Sequence, residues 1–120
     1  MKVLKFGGAI VGSAEHLKKV KSIVEAEKNP IVVVSAMDGV TDLLEEIVEE
    51  ASTGDSKSII SRYEDLKTRH TELARQVVPA DSQSAALSEL NRLYAEMDSM
   101  LQALTIFRDW TDNILATFLS

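Results

Sequence analysis

The chain has 120 residues, the size of one domain, with 45% hydrophobic and 27% charged residues, an ordinary globular balance. It contains no cysteine, which excludes a disulfide framework and a thiolate metal site. With 19 acidic against 13 basic residues the net charge is −6, which disfavours nonspecific binding to nucleic acid or an anionic membrane. No apolar run approaches the length of a membrane span. Met1-Lys2-Val3 opens no signal peptide, because the apolar stretch stops at Lys5. These features fit a reducing cytoplasm.

Val3 to Phe6 reads as a short buried strand, and Gly7, Gly8 and Gly12 punctuate the loop after it. Ser13 is placed to cap a helix with Glu15 in its first turn. Leu17, Val20, Ile23 and Val24 carry helical spacing to about Glu27, and Asn29-Pro30 ends the helix. Ile31 to Val34 are all β-branched and apolar, the pattern of a strand covered on both faces in a parallel sheet. Strand, helix and strand make one βαβ unit. Val40, Leu43, Leu44, Ile47, Val48 and Ala51 form the next amphipathic helix, closed near Gly54. Glu45, Glu46, Glu49 and Glu50 read as its solvated face.

Beyond Gly54 the pattern changes. Ile59, Tyr63, Leu66, His70, Leu73 and Val77 are spaced alternately by four and three, and Val78-Pro79-Ala80-Asp81 breaks the run. Leu87, Leu90, Tyr94, Met97, Leu101 and Leu104 then repeat the spacing, which predicts an αα-hairpin. Met97 and Met100 read as packing material. A last short helix is expected from Asp109 or Thr111, carrying Ile114, Leu115 and Phe118, with Trp110 anchoring it to the hairpin. Residues 1–54 are thus a βαβα unit, and 55–120 a helical hairpin with a terminal helix. Two strands against about five helices is little sheet for an α/β domain, which usually holds five or six strands. Partner chains or covering helices are expected at its edges.

Two stretches carry the chemistry. Lys5-Phe6-Gly7-Gly8 and Ser35-Ala36-Met37-Asp38-Gly39-Val40-Thr41-Asp42 each sit where a strand gives way to a helix. In open α/β sheets ligands bind at that edge, glycine lets backbone amides approach a phosphate, and a helix N-terminus adds a favourable field. Two such corners are suited to one anionic ligand. Taken singly, each residue has a plainer use. Lys5 is then a solvated lysine, Gly7-Gly8 a tight turn, and Ser35 and Thr41 caps or backbone partners. Asp38 reads as a turn residue rather than a magnesium ligand, and His16 and His70 have no metal-ligand spacing.

Both corners, in this order, resemble the start of aspartokinases. The hairpin is similar to the insertion that follows in that family, and Trp110 to Phe118 resembles the run into its Phe-Gly-Glu motif. The resemblance implies a helix-rich α/β fold: the N-terminal portion of an amino-acid kinase (carbamate kinase-like) α/β/α sandwich. It implies ATP-dependent phosphorylation of the L-aspartate side-chain carboxylate, with ATP and magnesium as cofactors. Lys5 matches the lysine that neutralises charge on the phosphates, and Gly7 and Gly8 the turn whose amides receive them. Ser35 and Thr41 match positions lining the phosphoacceptor pocket. No residue is assigned as a metal ligand.

The departures are equally specific. The family pattern Gly-Gly-Thr-Ser is here Gly7-Gly8-Ala9-Ile10, which removes two hydroxyls. Phe118 is followed by Leu119-Ser120 instead of Gly-Glu, whose glutamate helps bind aspartate in the family. Family members are several times longer. The expectation is therefore a chain inactive by itself, with a non-catalytic assembly or interaction module as the alternative. The large apolar surface predicts a homo-oligomer, a two-fold dimer with the sheet edge or the hairpin at the contact.

Overall fold

A computed structural model describes residues 2–53 and 56–119; the helix end expected at Gly54 and the last residue, Ser120, lie outside the described residues. The elements run β1 (Val3–Phe6), α1 (Ala14–Glu25), β2 (Ile31–Val34), α2 (Val40–Thr53), α3 (Ser56–Val77) and α4 (Ala80–Leu119). β1 and β2 pair in parallel, with Val3 opposite Ile31 and Phe6 opposite Val34, and are the sheet formed by the described residues.

Local chemistry sets the ends of these elements. Ser13 is the N-cap of α1, its hydroxyl accepting from the His16 amide at 3.2 Å, as its position predicts. The helix stops at Glu25, short of Glu27, and Asn29 takes a positive φ of 53° in the turn before Pro30. Asparagine is among the few residues that tolerate that region.

Because side chains alternate along a strand, Leu4 and Phe6 point inward while Val3 and Lys5 point out. Phe6 joins Val11, Val20, Met37, Val40, Ile47, Tyr63 and Leu66 in one buried cluster that draws on β1, the glycine loop, α1, α2 and α3. Ile47, at the middle of α2, is fully buried. β2 departs from expectation: each of its four residues is between 41% and 61% exposed, so neither face is covered. The small sheet presents bare β-branched surface.

The hairpin is built as its spacing predicts. Tyr63 and Leu66 are buried, and Ile59, Leu73, Met97 and Leu101 pack partly buried against the core. Two tyrosines lock the arms reciprocally: the Tyr63 hydroxyl donates to the Tyr94 carbonyl at 2.7 Å, and the Tyr94 hydroxyl to the Lys67 carbonyl at 3.2 Å. Lys67 lies over both rings, 5.0 and 5.9 Å from their centroids. Burial, reinforced by the nearby Asp98 carboxylate, pushes the Tyr63 phenol well above the usual range, so it stays a donor. At the turn, the Gln83 side-chain amide donates to the Arg75 and Val78 carbonyls at 2.7 and 3.1 Å, serving acceptors that the end of a helix leaves open. His70 faces its own helix, with Nδ1 2.9 Å from the Leu66 carbonyl.

Three expectations for the C-terminal part are corrected. No separate terminal helix starts at Asp109 or Thr111; α4 is a single helix of 40 residues. The side chains that would have capped a new helix are used otherwise. The Thr111 hydroxyl bonds back to the Phe107 carbonyl at 2.9 Å, and the Asp109 carboxylate accepts from Arg108. No Gly or Pro follows Pro79 to interrupt the ladder. Trp110 does not anchor a helix to the hairpin; it is largely exposed, with its ring centroid 6.1 Å from that of Phe107. Met100 is exposed, whereas Met97 packs on the core. α4 also explains the elongated shape, 67 × 28 × 21 Å with a radius of gyration of 18.9 Å. A compact chain of this length would have about 14 Å.

The acidic face of α2 is likewise not simply solvated. Glu46 and Glu50 turn toward α3 and pair with Arg62, the Arg62 Nε standing 3.0 Å from Glu50 Oε1. Glu45 and Glu49 are exposed and make no ion pair with the described residues.

Truncating Ile47 to alanine removes the best-buried side chain of α2 and is expected to cost about 2–5 kcal/mol. Val48→Ala, one position round on the exposed side, should stay within about 0.5 kcal/mol. Urea denaturation of the two variants checks the contrast; equal losses would misplace the core.

Candidate functional site

The two glycine-bearing corners meet. The β ladder continues past Phe6, whose carbonyl accepts the Ser35 amide at 3.1 Å. Two residues on, the Gly8 carbonyl accepts the Asp38 amide at 3.2 Å. A Cβ built on Gly8 would lie 2.7 Å from the Ala36 carbonyl oxygen and 2.9 Å from Asp38 Oδ1. Glycine is required there because backbone presses on backbone. Gly7 is different: nothing lies within 4 Å of the place a side chain would take, so the turn has an open side.

Within the first turn, the Ile10 and Val11 amides both donate to the Gly7 carbonyl, at 3.1 and 3.2 Å. The amides of Gly8 and Ala9 make no hydrogen bond to the described residues. Ala9 and Ile10 stand exposed where the family pattern has hydroxyls, so the turn offers backbone donors alone. On the second corner, Gly39 has a φ of +80° and its carbonyl accepts the Leu43 amide at 3.0 Å, starting α2. Met37, between the two polar stretches, is buried and pins the corner to the core.

The five residues singled out from the sequence fall as follows. Lys5 is exposed near the end of β1 and makes no ion pair with the described residues. Register pairs it with Val33, and paired residues of adjacent strands share a face. Ser35, two residues after Val33 on the continuing ladder, falls on that same outer face. Gly7 and Gly8 form the turn just beyond. Thr41 sits in the first turn of α2, exposed, beside a shallow groove shared with Leu44, Glu45, Val48 and Glu49. Lys5, Gly7, Gly8 and Ser35 therefore lie together at one sheet end, and Thr41 follows on the first turn of α2.

Arg69 was not evident from the sequence. From α3 it reaches the meeting point, its Nη1 donating to the Asp38 carbonyl at 2.8 Å. Its Nη2 lies 3.7 Å from where a Gly12 Cβ would stand. The available signal was the antiparallel pairing of α2 and α3: the register that sets Arg62 beside Glu46 and Glu50 carries residue 69 to the start of α2. Among the described residues no three His, Asp or Glu side chains gather as a metal site. No helix of theirs is long and apolar enough to cross a membrane.

The profile of the amino acid kinase family matches residues 1–118. The chain belongs to the amino acid kinase family. It is 31% identical over 106 residues to the chloroplastic bifunctional aspartokinase/homoserine dehydrogenase 2 of Arabidopsis thaliana, a match spanning 87% of this chain and 12% of that protein. To the aspartokinase of Chlamydia muridarum it is 37% identical over 75 residues, 62% of this chain and 16% of that one. The crystal structure of E. coli aspartokinase III in complex with aspartate and ADP superposes with a TM-score of 0.70 at 21% identity, covering 88% of this chain and 22% of that one. The aspartokinase resemblance read from the two corners thus holds, and so does the fold it implied, a helix-rich α/β arrangement with a small sheet. The chain spans 12% and 16% of the lengths of the two relatives in the amino acid kinase family named above.

The two glycines give opposite expectations. Gly8→Ala forces a methyl against the Ala36 carbonyl and should destabilise by about 1–3 kcal/mol. Gly7→Ala meets open space and should change stability by about 1 kcal/mol or less. Equal effects in urea denaturation would mean that the two corners do not touch in solution.

Proposed function

We propose that this chain forms the phosphate-and-acceptor corner of an aspartokinase-type site and does not turn over by itself. One observation carries the reading: Gly8 abuts Ala36 and Asp38, which brings the Lys5 turn and the Ser35–Thr41 segment to one place. The reaction is attack of an aspartate side-chain carboxylate oxygen on the γ-phosphorus of ATP. The bond from that phosphorus to the β,γ-bridging oxygen breaks, leaving ADP and an acyl phosphate. Such transfer requires positioning and charge neutralisation more than a protein nucleophile. Lys5 supplies the positive charge. The open turn at Gly7 and Gly8, with uncommitted amides at Gly8 and Ala9, receives phosphate oxygens. Ser35 and Thr41 border the acceptor carboxylate.

Magnesium is implied by the family, but the described residues do not gather three carboxylates, so no step is assigned to a metal held by this chain. When bound it would travel on the nucleotide phosphates. Exposure adds support to the expectation of inactivity. Lys5, Ser35 and Thr41 all face solvent, and electrostatic catalysis depends on a water-excluded site.

The second reading is an assembly module without catalysis, favoured by the bare faces of β2 and the exposed Phe107, Trp110 and Phe118 of α4. On either reading the chain is a homo-oligomer, a dimer joined through the sheet edge or the hairpin.

Calorimetric titration with magnesium-ADP separates the two. The kinase-corner reading expects weak binding that Lys5→Ala reduces about tenfold or more, the scale of one charged hydrogen bond. Absence of binding favours the assembly module. With ATP, magnesium and aspartate, a hydroxamate trap should collect no acyl phosphate above background; robust turnover would overturn the inactive assignment. Sedimentation at micromolar concentration should give a dimer, and a compact monomer would end the oligomer proposal.

A further inference from the structure

Arg69 has an unusual combination of surroundings. It is half-buried and has no carboxylate partner among the described residues, although its neighbour on the same helix face, Arg62, holds two. Its directed bond goes to a backbone carbonyl, that of Asp38, at 2.8 Å. Asp38 is also held from the other side, its amide donating to the Gly8 carbonyl at 3.2 Å. The Gly8 carbonyl in turn lies 3.1 Å from where a Cβ at Gly12 would stand, and Arg69 Nη2 3.7 Å from that same point. The glycine turn, the second corner and α3 therefore converge on one residue's backbone, and the guanidinium closes the junction.

We propose that Arg69 is a positioning residue for the anion corner. It holds the Ser35–Thr41 segment at its spacing from the Gly7-Gly8 turn, so the geometry of the corner depends on the docking of the helical hairpin. The role in positioning rests on the phosphate-site reading given above; the clamp itself does not. A planar fork fixes direction as well as charge, which a flexible ammonium cannot reproduce. Arg69 thus acts through Asp38 and is not assigned contact with a substrate. The arrangement makes the hairpin more than an appendage to the sheet, because its first arm sets the distance between phosphate side and acceptor side.

Amide hydrogen exchange on the full chain tests the clamp without any ligand. The reporters are the amides of Ser35, Asp38 and Val40, each bonded across or within the corner. Arg69→Ala should speed their exchange about tenfold, the equivalent of one hydrogen bond from a charged group. Exchange over residues 87–104 of the second arm should stay unchanged. An unaltered corner, or a uniform rise along the chain, overturns the clamp. Should R69A fail to fold, R69K keeps the charge and the stem, and it too should speed exchange at the corner; wild-type behaviour would show that the fork is not needed. In a magnesium-ADP titration, R69A should bind about fivefold or more weakly with Lys5 intact, and equal affinity overturns the positioning role. If the wild-type chain binds no ADP, the phosphate-site reading falls, and the exchange comparison decides the clamp by itself.

Discussion

The structure turns on a place where two backbones touch. Gly8 and the Ala36–Asp38 segment approach so closely that a single methyl at Gly8 would collide with a carbonyl oxygen at 2.7 Å. Parallel pairing of β1 with β2 brings the two chain segments side by side, and the hydrogen bond from the Asp38 amide to the Gly8 carbonyl extends that pairing into the loops. Without this contact Lys5 and Ser35 would still share a sheet face, but the turns beyond them would have no common geometry. The site and the sheet are one continuous piece of hydrogen bonding.

The helices give that piece its rigidity. Two four-residue strands are too small to be stable alone. Phe6 and Met37 are instead gripped by a cluster whose centre is Ile47 on α2 and whose far wall is Tyr63 and Leu66 on α3. α2 is held in turn by polar ties. Arg62 spans Glu46 and Glu50, and Arg108 donates from α4 to the Ala51 carbonyl at 3.1 Å, near the C-terminal end of α2 where carbonyls lack helical partners. The hairpin thus reaches the sheet through α2 and reaches the corner through Arg69.

Much of this was legible in the sequence because it rests on period and punctuation. The alternation of four and three from Ile59 to Leu104 selects residues that the structure buries wholly or partly, and glycine after Phe6 and at Gly39 marks both corners. What escaped depends on partners distant in sequence. A run such as Ile31 to Val34 has the composition of a covered strand, but composition cannot supply the layer that covers it. Asp109 and Thr111 have the chemistry of helix caps, and the same hydroxyl serves equally well to bond back inside a continuing helix. Trp110 is the type of residue that anchors, yet it lies on a side of α4 that is turned to solvent. Arg69 carries no local signature; only the facing register of α2 and α3 brings it to Asp38.

The unequal arms of the hairpin have a practical consequence. α3 has 22 residues and α4 has 40, about 33 Å against about 60 Å of helix. Past Thr111 and Asp112, which line a groove with Ser52 of α2, the last turns of α4 are mostly exposed, and Thr111 and Thr117 bond back to their own helix. Such an overhang opens at a free energy far below that of the whole molecule. The sole tryptophan, Trp110, lies at its root. Its fluorescence therefore reports the fraying of a helix end, and the unfolding of the core is seen by Tyr63 and Tyr94.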